Sequence, residues 1–278
     1  MTDTYSTLKV SVTDGVAYAV IDNPPLNLLD AALMVDLDRF ADAMSHDDDV
    51  RVVVFDSADP DFFVAHGDMR FVDDFESFGA LPVAPQQDPS LNPMMRLHER
   101  VRSLPQITIA KLRGLARGGG AELLSAMDMR IASLERAGLA QPEAGLGIIR
   151  ARAAPPTCPV SSAAHALGDH PRRAVDRCRH RGTARLGEPR GAGRRTRPRR
   201  RHPRRPCRRS AARRRSRRGR SGRRRGGLDR SRAGAGERTL GRLFAEPAAS
   251  RLGKAALAAG AQTRDGERHL EALVDGLG

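Results

Sequence analysis

Residues 105–149 read PQITIAKLRGLARGGGAELLSAMDMRIASLERAGLAQPEAGLGII, a glycine triplet set between two apolar runs and followed by two glutamates. Ile107–Leu112 is apolar and β-branched, the pattern of a buried strand, and Ala121 to Met127 carries the apolar spacing of a helix packed on a core. Gly118, Gly119 and Gly120 are therefore expected at a strand-to-helix junction. Glycine there permits positive φ and lets a ligand approach bare backbone, while the helix start offers unpaired N–H groups and the positive end of its dipole. Such a junction suits a developing oxyanion. Glu122 falls in the first helical turn and Glu143 in the loop after Gln141-Pro142. Read alone, each has an ordinary explanation: the dipole favours a first-turn glutamate, and Glu143 fits a solvated loop.

Toward the N-terminus, Leu8 to Val12 and Val16 to Ile21 flank Asp14-Gly15, the signature of a β-hairpin. Asn23-Pro24-Pro25 breaks the second strand. From Asp30 to Met44, Leu33, Met34, Leu37, Phe40, Ala41 and Met44 recur at helical spacing, and Arg51 to Phe55 reads as a buried strand. Phe71 to Pro93 is long and dense in proline and polar residues, which predicts a functional lid or a mobile segment. Met94 to Val101 resumes a helical pattern. Asp128 and Arg130 follow the helix and are expected to brace the fold.

The overall charge of +15 would ordinarily point to a nucleic-acid or membrane-surface partner. Its distribution argues otherwise. Residues 1–150 hold 13 Lys+Arg against 23 Asp+Glu, whereas residues 151–250 hold 31 against 6. Cys158, Cys178 and Cys207 lie in that same middle block with no zinc-site spacing, so neither a metal nor a disulfide framework is expected. The N-terminus lacks the basic and apolar regions of a leader, and no apolar run approaches the roughly 20 residues of a membrane span. The sequence reads as soluble and cytoplasmic.

The motifs G-L-A-R-G-G-G-A-E-L and A-Q-P-E-A-G-L-G, in this order and spacing, resemble those of the enoyl-CoA hydratase/isomerase (crotonase) family. The order of hairpin, N-P-P-x-N, helix and D-D-D-V-R-V-V-V-F is also similar, so the resemblance covers essentially residues 7–149. It implies an α/β fold of the crotonase type, a superhelix of repeated ββα units with a helical C-terminal part that covers the acyl pocket and assembles homotrimers or hexamers. The chain then divides into a catalytic core at 1–149, an arginine-rich segment at 150–240 and a C-terminal helical part at 241–278. The implied activity is hydration of a 2-enoyl-CoA thioester in fatty acid metabolism, with coenzyme A as part of the substrate and no separate cofactor. Glu122 and Glu143 would be catalytic, and the N–H groups of Gly67 and Gly119 would form the oxyanion hole. Ala65, His66, Asp68 and Gly118 would border the substrate. DFFVAHGDM stands where the family has F-x-A-G-x-D-L, so His66 replaces a glycine and reads either as a packing residue or as a functional one. By the same resemblance, the 71–93 segment borders the acyl pocket. Isomerase, decarboxylase or thioesterase chemistry is the nearest alternative, since fold does not fix reaction.

After Ile149 the family turn P-G-x-G-G-T and helix G-R-A-x-A-L are missing, and arginine runs such as RRTRPRRRHPRRP take their place. At face value, residues 150–240 are an irregular polybasic segment. The genetic code offers a second reading. With each codon begun one base early, Ile149 to Leu167 permits PGAGGTTYLPGLVGRARA; one base further, Leu167 to Gly191 permits LEIILGAQSIDADTAERLGWVNRA. Family-like sequence resumes near Leu243 and includes the G-x-Q-T-R-x-G-E ending. Three single-base losses in a G+C-rich gene account for this, and the chain as written is then expected to be insoluble or inactive. The rival class is nonspecific nucleic-acid binding by the arginine block. Against it, Arg150 to Arg242 contains no Phe, Tyr or Trp to stack on bases, so specific nucleic-acid binding is not expected.

Overall fold

The computed structural model describes residues 4–86, 88–149, 176–177 and 230–277. Strands β1 (Leu8–Thr13) and β2 (Val16–Ile21) form the expected hairpin, with Asp14 and Gly15 both at positive φ in the turn. Asp30 caps helix α1 (Ala31–Ser45) by accepting from the Leu33 N–H, which fixes the helix start where the apolar periodicity begins. From there the chain alternates between two sheets. β3 (Val52–Ser57), β5 (Ile107–Leu112) and β7 (Met129–Ala132) extend the hairpin in parallel, in the order β1-β2-β3-β5-β7. β4 (Phe62–Val64), β6 (Leu115–Arg117) and β8 (Gly138–Ala140) build the second sheet, which β9 (Asp176–Arg177) completes in the order β4-β6-β8-β9. The first unit gives both strands to the first sheet, and the two that follow give one strand to each sheet before a helix returns, in the ββα order expected from the sequence.

Helix α2 (Phe75–Gly79) and α3 (Pro93–Arg102) follow β4, and α4 (Gly119–Ala126) follows β6. The core lies between the first sheet and α1, α3 and α4, and includes Phe40, Phe55, Phe63, Leu97 and Leu123, all fully buried. Asp128 accepts from both the N–H and hydroxyl of Thr108, while Arg130 donates to the Leu124 and Met127 carbonyls at the end of α4. Both residues brace the fold, as their position predicts. The C-terminal part is helical: α5 (Arg230–Ala245), α6 (Pro247–Ala258), α7 (Arg264–Arg268) and α8 (Leu270–Asp275).

Three expectations are corrected. The glycine triplet does not follow β5 directly. At Gly114 a Cβ would lie 2.3 Å from the Asp61 carbonyl oxygen, and this close crossing transfers the chain to the second sheet as β6 before α4 begins. The 71–93 segment is not an open loop: a 3-10 turn (Met69–Val72) and α2 occupy its first part, held by stacking of Phe71 and Phe75 on Phe78. The expected irregular block ends earlier than residue 240, because α5 begins at Arg230 and its later turns bury Leu240. Apart from β9 at residues 176–177, the remainder of that block, with its three cysteines and most of its arginines, lies outside the described residues. Among the described residues, no helix is long and apolar enough to cross a membrane, and no group of three His, Cys, Asp or Glu side chains could hold a metal.

Candidate active site

The site is assembled where β4 and β6 end. After β4, Leu29 N–H donates to the His66 carbonyl at 2.9 Å and Asp68 N–H donates to the Leu29 carbonyl at 3.3 Å, bracketing Gly67 in a parallel bridge. Alternation along an extended strand turns the N–H of Gly67 away from that bridge. After β6, Gly118 takes φ 48 and ψ −126, a conformation that only glycine adopts readily, and its N–H donates to the Ala140 carbonyl on β8. Helix α4 then starts at Gly119, which places the first N–H groups of the helix in the wall of a pocket. A Cβ on Gly67 would lie 3.0 Å from Met94 Cε, and one on Gly119 would lie 2.7 Å from Met94 Sδ. Both glycines therefore leave room for the end of one methionine side chain on α3.

Glu143 opens a 3-10 turn (Glu143–Leu146) and lines the same pocket. Its Oε1 lies 2.5 Å from where a Cβ on Gly118 would stand, so the carboxylate occupies the space that glycine leaves. Glu122 is buried on the first turn of α4, with its N–H on the Gly118 carbonyl and its Oε2 4.0 Å from Nδ1 of the buried His98. Glu143 thus lies in the pocket wall beside Gly118, whereas the buried Glu122 is not among the residues that line the pocket. Apart from His66 and Asp68 the rest of the wall is largely apolar, with Phe71, Phe78, Leu146 and Ile148, closed by Leu240 and Phe244 of α5. Phe75 packs edge-on against Phe244 at 5.2 Å, which joins the 69–79 segment to the C-terminal helices.

Four further positions were read as bordering the substrate. Ala65 packs with Leu26, Phe62 and Leu115 in a separate apolar cluster rather than in the pocket wall. Asp68 lines the pocket. Burial works to raise its pKa, yet hydrogen bonds from the Arg70 guanidinium and N–H and from Gln262 hold it below the usual carboxylate range. Gly118 makes the cradle just described. His66 lines the pocket and is buried, with Nε2 2.9 Å from Glu267 Oε1 on α7 and Nδ1 2.6 Å from the Gly67 carbonyl oxygen. Burial would lower its pKa, but the hydrogen bond and charge of Glu267, aided by the Gly67 carbonyl, raise it above the ordinary histidine value.

Behind His66 lies a feature with no local sequence signal. Arg117, on β6, is fully buried and donates to Glu267 Oε2, to the Glu267 carbonyl and to both oxygens of Glu271. Arg117, His66, Glu267 and Glu271 form a buried ionic network joining the two pocket-wall loops to α7 and α8. Met94, Phe244 and Glu267 are the site neighbours that motif reading missed. Of these, only Glu267 stands in a quoted motif, at the end of G-x-Q-T-R-x-G-E.

The family model described as Enoyl-CoA hydratase/isomerase matches residues 11–165. The chain belongs to the enoyl-CoA hydratase/isomerase family. Among similar proteins, one named Probable enoyl-CoA hydratase from Bacillus subtilis (strain 168) is 33% identical over 145 residues, covering 51% of this chain and 52% of that one. A Short-chain-enoyl-CoA hydratase from Clostridium acetobutylicum is 32% identical over 139 residues, covering 48% of each. The chain thus spans about half the length of these two relatives. A crystal structure from Streptomyces avermitilis that carries an enoyl-CoA hydratase name superposes with a TM-score of 0.66 at 26% identity, covering 99% of both chains. The family and crotonase-type fold expected from the sequence are borne out.

One consequence of the Gly118 cradle can be tested directly. Gly118→Ala is expected to destabilise the fold by about 1–3 kcal/mol through its backbone conformation, and to push Glu143 out of its place. Urea unfolding reads the first effect. A variant as stable as the parent would show that the cradle is not as tight as described.

Proposed function

We propose that this protein hydrates 2-enoyl-CoA thioesters by syn addition of water. The observation that carries the reading is the convergence of Gly67, Gly119 and Glu143 on one largely apolar pocket. An enoyl thioester accepts a nucleophile poorly until its carbonyl oxygen can carry negative charge. Two backbone N–H donors, from Gly67 and Gly119, would supply that stabilisation, and the peptide carrying the Gly67 N–H is further polarised because its carbonyl accepts from Leu29. As the oxygen of water bonds to the β-carbon, a carboxylate takes its proton and the electron pair moves to the thioester oxygen as an enolate. A proton is then delivered to the α-carbon. Glu143 in the wall and Glu122 on the first turn of α4 would divide this acid and base work. The overall step adds one water and is redox-neutral, so coenzyme A enters only as part of the substrate. Assembly as a homotrimer or hexamer is part of the same reading.

The curated relatives above align over only about half of this chain. This supports the proposal that residues 150 to about 240 are read out of frame. The deciding experiment sequences the locus and assays crotonyl-CoA hydration by the chain as written and by a frame-restored chain. Hydration by the restored chain alone is expected. Isomerisation without hydration would replace the reaction assigned here, and a confirmed reading frame with activity in the chain as written would remove the frame proposal.

A further inference from the structure

His66 presents both ring nitrogens to oxygen atoms that only accept: Glu267 Oε1 at 2.9 Å and the Gly67 carbonyl at 2.6 Å. A neutral imidazole carries one N–H and satisfies only one of them. Only the imidazolium satisfies both. Glu267 is in turn kept an acceptor, since the Arg117 guanidinium and the Gln262 N–H also donate to its carboxylate. The network then holds two cations and two anions, a balance that suits a largely buried cluster.

We propose that Glu267 is a positioning residue for the oxyanion site: from the C-terminal helix α7 it holds His66 as an imidazolium, whose second N–H pins the Gly67 carbonyl and so, with the Leu29 bond to the His66 carbonyl, restrains both peptides of the glycine whose N–H would face the pocket. This rests on the hydratase reading for its catalytic consequence, but not for its structural content. Two effects follow at the hole. The Gly67 N–H is held in one orientation, and a positive charge stands beside the place where the enolate oxygen would form. The charged groups facing His66 are Glu267 from α7, Arg117 from β6, Glu143 across Gly118 and Asp68 with its partner Arg70, while Glu271 reaches it through Arg117. Of these, Arg117 opposes the imidazolium and Glu267 outweighs it.

The direction in pH is set by the two shifts. His66 is raised above its ordinary 6.5, so its contribution is complete below 6.5 and is lost as pH rises through the raised value. Burial alone would raise the pKa of Glu267, but His66, the Gln262 N–H and Arg117 hold it below its ordinary 4.5. Its contribution is therefore complete above 4.5 and is lost as pH falls through the lowered value. The clamp is strongest between the two ordinary values.

The test uses the full 278-residue chain and its frame-restored form, both of which contain every residue of the network. Imidazole nitrogen NMR of the unmodified protein needs no activity: His66 should carry protons on both nitrogens at pH 6.5. A neutral ring there overturns the proposal. In Glu267→Gln, the midpoint should fall below 6.5 and amide exchange at Gly67 should rise by about tenfold or more. Unchanged exchange with an unchanged midpoint also overturns it. Where crotonyl-CoA is turned over, Glu267→Gln should lower kcat by about tenfold with little change in KM, and should move the alkaline limb of the profile to lower pH. Absence of turnover in the frame-restored chain without the substitution sinks the hydratase reading, while the NMR result still decides this one.

Discussion

Replacing Glu143 by glutamine is expected to lower the kcat for crotonyl-CoA hydration by about 10²–10⁴-fold, the range lost when a positioned acid or base is removed. Glutamine keeps the size and shape of glutamate, so it still fits the space beside Gly118 and the fold should be preserved. KM should change little, because the apolar wall of Phe71, Phe78 and Phe244 is untouched. Glu122→Gln should act on the same step, and the double variant should lose much less than the product of the two, as groups that act as a unit do. The measurement is steady-state hydration by the frame-restored chain. Near-normal activity in the Glu122→Ala, Glu143→Ala double variant would sink the two-carboxyl mechanism.

Arg117→Met is expected to cost about 3–5 kcal/mol of stability, the range found when one member of a buried ionic cluster is removed. The side chain is fully buried, and its loss leaves Glu267 and Glu271 facing His66 as the only cation of the network. Methionine fills most of the volume, so the loss reports charge rather than a cavity. Arg136→Met supplies the contrast, because Arg136 pairs with Asp61 at a half-exposed surface position where such bridges contribute about 0–1 kcal/mol. Urea unfolding of the two variants compares them directly. Equal, small losses would mean that the buried network is not structural.

What the sequence made legible was what local chemistry specifies. Asp14-Gly15 permits the positive φ of a hairpin turn, Asp30 caps the helix that the apolar spacing of Leu33, Leu37 and Phe40 predicts, and the glycine triplet opens α4. Of the candidate site, Gly67, Gly119 and Glu143 were placed by motif and the structure brings them to one pocket. Three residues were too few for β6 to show periodicity, so the strand ahead of the glycines went unread. Arg117 sits inside the quoted G-L-A-R-G-G-G motif with nothing beside it in sequence to mark it as buried. Its burial depends on Glu267 and Glu271, 150 and 154 residues later, and no local pattern carries that information. His98 beside Glu122 was missed for the same reason, since α3 and α4 meet only in the folded chain. His66 remained open because a lone histidine names no partner.

The same long-range network sets an order of events during synthesis. His66 and Arg117 leave the ribosome well before Glu267, which is 201 residues downstream of the first and 150 downstream of the second. Until residues 264–275 have been made, the His66–Gly67 loop lacks its tether and Arg117 lacks both counter-ions. A nascent chain can form its hairpin, α1 and the β3–β5 pair, whose contacts are among residues already made, but it cannot finish the pocket. Completion of the site is therefore a late step that waits for the C-terminal helices. Any lesion that prevents the C-terminal helices from being translated in frame leaves a buried cation exposed in a half-built core, a state that quality-control proteases can recognise before any substrate is met.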